Sequence, residues 1–149
     1  MPRFRVFVSL SVAVLFAFFL AGCSREIKPD GLPDLHPCEI NLTMKGVPLE
    51  GAAVSLYGSD GRWNPSGQTN AQGRAIIITR QFSGAAAGDY KVVVSKYEKV
   101  VRSPSSDSSP ELPPPPSLVA EQYSRPDTTP LSCTVKPGKN SFDFTVEAP

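Results

Sequence analysis

The stretch "CEINLTMKGVPLEGAAVSLY", residues 38–57, decides the fold. Across Cys38–Met44, the apolar positions Cys38, Ile40, Leu42 and Met44 alternate with Glu39, Asn41 and Thr43. A period of two places successive side chains on opposite faces of an extended chain, so the four apolar ones share a face. Gly46, Pro48 and Gly51 supply turn residues. Val54 and Leu56 then restart the alternation. The pattern reads as strand, turn, strand.

The same period recurs downstream. In "DYKVVVSKY", residues 89–97, Tyr90, Val92 and Val94 lie on one face and Lys91, Val93 and Ser95 on the other. Two closing strands follow: "LSCTVK" (131–136) and "NSFDFTVE" (140–147), where Phe142, Phe144 and Val146 alternate with Ser141, Asp143 and Thr145. "AIIIT" (75–79) is a β-branched run flanked by turn signals, which predicts a buried strand. The intervening segments are loops. "GSDGRWNPSGQTNAQGR" (58–74) is polar, and its Thr69–Gly73 end predicts a tight connection. Residues 81–88 are small-residue loop, and 98–117 are Ser/Pro-rich with four consecutive prolines, which favour polyproline II and withhold backbone donors. "LVAEQY" (118–123) predicts one helical turn. About seven short strands with no long helix predict an all-β domain, an immunoglobulin-like β-sandwich over residues 38–147.

Ahead of this domain, Arg3 and Arg5 precede an apolar run from Val6 to Leu20. A basic start, a short apolar core and small residues make residues 1–22 a signal peptide. Leu20-Ala21-Gly22-Cys23 resembles the bacterial lipobox, in which the cysteine thiol accepts a diacylglyceryl group and becomes the first mature residue. Two or more acyl chains anchor a protein stably. Residues 23–37, polar and punctuated by Pro and Gly, then read as a tether. The expected location is the bacterial cell envelope, membrane-anchored and facing the periplasm or the cell surface.

With Cys23 assigned to lipid, two of the 3 cysteines remain. Export implies an oxidising compartment, and Cys38 and Cys133 both fall on apolar strand faces, so a Cys38–Cys133 disulfide is expected. A metal site would need further ligands that His36 alone does not provide.

The remaining composition narrows the function. Removing residues 1–22 takes two of 15 basic residues and none of 14 acidic ones, leaving a formal charge of −1. No basic stripe is present, which argues against nucleic-acid binding. The single histidine, His36, sits in the tether beside Pro37, and the carboxylates are scattered singly, so no acid/base pair emerges. No serine lies in a nucleophile-elbow motif. Asp60 is the only carboxylate of the 58–74 loop, whereas a calcium loop uses several. No catalytic residue, cofactor or metal site is therefore expected. Trp63, in a polar loop, is the leading candidate for ligand contact, with Tyr57 and Tyr97 at strand ends. An exposed tryptophan stacks on a sugar or anchors a protein contact, and the alternative is that it folds back to cap the sandwich.

Taken in order, "KGVPLEGAAVSLYG", "GQTNAQGRAIIIT", "GDYKVVVSK" and "QYSRPDTTPLSCTVKPGKNSFDFTV" resemble small bacterial lipoproteins with a carboxypeptidase-regulatory-like domain. The carrying residues include Gly46, Pro48, Leu49, Gly51, Thr69, Asn70, Gly73, Gly88 and Tyr90. Ala52, Val54, Val92, Val94, Tyr123, Pro126, Thr128, Leu131, Gly138, Asn140, Phe142 and Phe144 complete the set. The resemblance covers about residues 38–147 and implies a transthyretin-like sandwich without catalytic residues. Cys38 and Cys133 stand where the pattern has ordinary strand residues. Together these readings predict a lipid-anchored, non-catalytic module with a structural or protein-interaction role. The alternative is a carbohydrate-binding accessory domain that uses Trp63. Expected partners are the membrane, through the lipid, and an envelope protein or a glycan.

Overall fold

The alternation at residues 38–44 becomes strand β2, Cys38–Met44, with Cys38, Ile40 and Leu42 buried. It follows a short β1, Leu35–His36. The computed structural model describes residues 29–99 and 114–149. The expected signal peptide at 1–22, Cys23 and most of the Ser/Pro-rich stretch lie outside these.

After β2 the chain reverses through Lys45-Gly46 into β3, Val47–Pro48. Both turn residues have positive φ, 53° and 78°, as a two-residue type I′ hairpin requires. Strands β4 (Ala53–Gly58) and β5 (Ser66–Gln68) form an antiparallel pair. The run 74–79 divides into β6, Arg74–Ile76, and β7, Ile78–Thr79. Short β8 (Phe82–Ser83) and β9 (Ala85–Ala86) lead into β10, Gly88–Ser95. A 3-10 turn at Glu121–Ser124 precedes β11, Ser132–Val135, and β12, Asn140–Val146.

The strands assemble into a six-stranded sheet of order β11-β10-β4-β5-β7-β8 and a four-stranded sheet of order β12-β2-β3, with β6 also on β2. A small β1-β9 pair completes the all-β fold. Inner faces of both larger sheets contribute to one core, among them Ile40, Leu42, Val54, Leu56, Val92, Val94, Val135 and Val146. This is the expected sandwich.

Several expectations need correction. "AIIIT" is not a uniformly buried strand. It changes sheets at Ile77, whose N–H donates to the Cys38 carbonyl at 3.0 Å. Ile76 and Ile78 on either side point outward, 62% and 40% exposed. A run of β-branched residues cannot distinguish two buried faces from a crossing between sheets. The loop at 81–88 contains β8 and β9, which raises the strand count above seven. The tether ends earlier than expected, because Leu35 and His36 pair with Ala86 and Ala85. Val93, expected on the outer face of β10, is buried as well.

At the ends of the Ser/Pro-rich loop, Tyr97 and Ser117 form an isolated antiparallel bridge. Leu118 N–H donates to the Lys96 carbonyl at 2.8 Å and Glu98 N–H to the Pro116 carbonyl at 3.2 Å. Pro116 thus takes part in pairing through its acceptor alone, the one ladder function a proline retains.

The connection at 69–73 is a tightly bonded knot. The buried Thr69 hydroxyl accepts from Ala52 N–H at 2.8 Å and donates to the Leu49 carbonyl at 2.5 Å. Asn70 Oδ1 accepts from the N–H groups of Gln72 and Arg74, each at 3.0 Å. Gly73 has φ 73°, and a Cβ there would fall on the Leu42 carbonyl oxygen. Tyr90, the third residue of β10, donates its hydroxyl to the Ala86 carbonyl four residues upstream at 3.0 Å, as in the tyrosine corner of Greek-key sandwiches.

Two substitutions test the knot. Gly73→Ala is expected to lower unfolding free energy by about 1–3 kcal/mol through the left-handed backbone and the clash on β2. Thr69→Val leaves the Ala52 donor buried without a partner, costing about 1–3 kcal/mol. Urea unfolding checks both, and a change below about 0.5 kcal/mol in either would remove the knot's structural role.

Candidate functional site: the open seam beside the last strand

The last strand returns to the first long one. β12 pairs with β2 in parallel, from Asn140 opposite Cys38 to Val146 opposite Met44. Asn140 sets this register. Its N–H donates to the Pro37 carbonyl at 2.9 Å. Its side-chain amide donates to the carbonyls of Lys136 at 2.8 Å and Gly138 at 3.0 Å, and its Oδ1 accepts from Lys136 N–H at 2.9 Å. One asparagine thus closes the 136–140 turn at the point where β12 begins.

That register determines which backbone groups are free. Along a strand, N–H and C=O of alternate residues point to opposite edges. Asn140 N–H points toward the β2 side, and the Phe144 carbonyl also lies there, 3.5 Å from Thr43 Oγ1. Ser141, Asp143 and Thr145 therefore direct their backbone groups away from β2. Among the described residues no strand pairs with β12 on that edge. Beyond it, the Glu147 carbonyl accepts from Ala120 N–H at 2.9 Å, which closes the edge at its C-terminal end.

Where this edge meets β11 the sandwich opens into a groove of about 760 Å³. Phe142 and Phe144, half-buried and stacked with centroids 6.4 Å apart, form one wall. Tyr57, Tyr90, Cys133 and Pro126 add apolar surface, and Asp89, Lys91 and Asp143 are its charged groups. Asp143 accepts from Asn41 Nδ2 at 2.8 Å, and Asp89 accepts from the Thr134 hydroxyl at 2.5 Å. A volume of this size, mostly apolar with a few placed polar groups, falls in the range of ligand-binding clefts.

The candidates from sequence are dispersed. Tyr57, 37% exposed, lines the groove; Trp63 and Tyr97 do not. Trp63 is half-buried with the Arg80 guanidinium carbon 4.9 Å from its ring centroid, a cation–π contact that covers a ring face. Tyr97 is exposed at the 97–117 bridge. His36 is not adrift in a tether: it lies in β1, and its Nδ1 accepts from Gly138 N–H at 3.5 Å. Asn140 and the free edge of β12 went unrecognised as site features. Asn140 stood in the sequence only as the first residue of the closing strand and as one residue of the resemblance, and a free edge depends on the order of strands in the sheet.

The expected Cys38–Cys133 disulfide is corrected. Both thiols are free and buried. They lie on different sheets, Cys38 opposite Asn140 on β12 and Cys133 opposite Tyr90 on β10. Sequence alternation located both on core-facing positions, and the structure holds no bond between them. Burial pushes Cys38 up to about 11. Burial, then the charges of Cys38 and Asp89, pushes Cys133 up to about 12. Such thiols are weak nucleophiles and weak metal ligands at neutral pH.

A raised thiol pKa stabilises the fold fully below the unfolded value near 9, and that contribution is lost as pH climbs toward 11–12. Unfolding free energy should therefore fall between pH 9 and 11, and fall less steeply in a Cys38→Ala/Cys133→Ala variant. Equal slopes would contradict the burial of the thiols. Native alkylation at pH 8 should run at least about a hundredfold slower than in urea, with both thiols free after unfolding.

The chain matches no family model, no curated protein and no solved structure.

Proposed function

We propose that this chain is a lipid-anchored, non-catalytic module of the bacterial cell envelope with a protein-interaction role. The observation that carries the interaction reading is the free edge of β12 beside an apolar, aromatic-walled groove. Strand edges and such grooves are used together in recognising extended peptides. The address rests on the lipobox-like Leu20–Cys23 and the apolar run before it. The resemblance of residues 38–147 to carboxypeptidase-regulatory-like domains supports the same reading, since those domains are accessory rather than catalytic. The raised thiol pKa values of Cys38 and Cys133 argue against a cysteine nucleophile.

The anchor is tested by mass spectrometry and fractionation. The mature protein should begin at an acylated Cys23, and Cys23→Ala should move the protein from the membrane to the soluble fraction of the envelope. Retention of Cys23→Ala in the membrane would refute the lipid anchor.

A further inference from the structure

The edges of the two larger sheets are not equally guarded. β3, β6 and β8 are only two or three residues long, and β3 contains Pro48. β11 has four residues and is bracketed by Pro130 and Pro137. Short length and flanking proline are the usual devices that protect an edge from pairing. β12 has neither: it runs seven residues, Asn140–Val146, without a proline. Its backbone groups on Ser141, Asp143 and Thr145, unpaired among the described residues, face the groove side rather than β2.

The side chains there specify what could pair. Phe142 and Phe144 line the groove, and Asp143 between them is exposed at its rim, where it accepts from Asn41 Nδ2. The groove's charged groups are two carboxylates, Asp89 and Asp143, and one amine, Lys91. A second copy of β12 paired antiparallel to bring its phenylalanines opposite each other would centre on Asp143 and set two carboxylates face to face. Like charges directly opposite destabilise such a pair. An added strand with a basic residue opposite Asp143, flanked by apolar residues over Phe142 and Phe144, satisfies charge and burial together.

We infer that the β12 edge takes up an extended peptide strand of a partner protein, with an apolar–basic–apolar core centred on Asp143. This rests on the interaction reading above and names its ligand class. About five residues would cover the span from Ser141 to Thr145, each paired residue adding roughly 3.3 Å.

Titration of the full-length protein in detergent with a labelled, blocked Thr-Val-Lys-Val-Thr peptide tests it. Saturable binding is expected, weakened about five-fold when Glu replaces the peptide's Lys. Asp143→Lys, an exposed change, should reverse that order. N-methylation of alternate peptide amides, which leaves the protein untouched, should abolish binding. No binding of the Lys peptide, equal affinity for the Lys and Glu peptides, or retained binding of the N-methylated one would overturn the proposal. So would a dimer that Asp143→Pro dissociates, since it would give the edge to a second copy. If the peptides fail while one defined envelope protein still binds both wild type and Asp143→Lys, the edge is wrong and the interaction reading stands.

Discussion

The parallel pairing of β2 with β12 holds the rest of the structure in place. It joins positions 102 residues apart in the chain, such as Asn41 and Asp143. Closing a loop of that length costs about 4 kcal/mol beyond a constant. The return lies in burial: Ile40, Leu42 and Val146 are at most 1% exposed, and each such side chain contributes about 1.5–3 kcal/mol. Polar pairs on the outer face, Asn41 with Asp143 and Thr43 with Thr145, add direction more than energy, because they are exposed.

The same pairing creates the open seam. Among the described residues β12 is bonded on one side only, which leaves alternate backbone groups unpaired on the other, and the parallel register makes these Ser141, Asp143 and Thr145. Asn140 fixes the phase: shifting β12 by one residue would turn Phe142 and Phe144 outward and Asp143 inward. The groove's aromatic wall and its free donors are thus two consequences of one register.

Much of the sandwich was legible in the sequence, because half-buried strands impose a period of two. Ile40 and Leu42, Tyr90 and Val92, Cys133 and Val135 all lie on the faces their alternation predicts. Thr69–Gly73 was legible too, since a left-handed glycine and an asparagine that bonds its own turn are local chemistry. Strand order and cross-sheet geometry were not. The sheet change at Ile77 is hidden because an apolar run looks the same whether one sheet or two cover it. Cys38 and Cys133 show the same limit: two inward faces do not imply a bond between their sulfurs. For the site, single aromatic residues drew attention in sequence, whereas the groove is made by strand edges that only the topology places together.

Residue-resolved amide hydrogen exchange of the unliganded protein reads the central feature directly. With β12 bonded to β2 on one side and open on the other, the amides of Phe142 and Phe144 should exchange at least about a hundredfold more slowly than those of Ser141, Asp143 and Thr145. Uniform protection along 141–145 would mean that the edge is already paired, and uniform fast exchange that the parallel pair does not form.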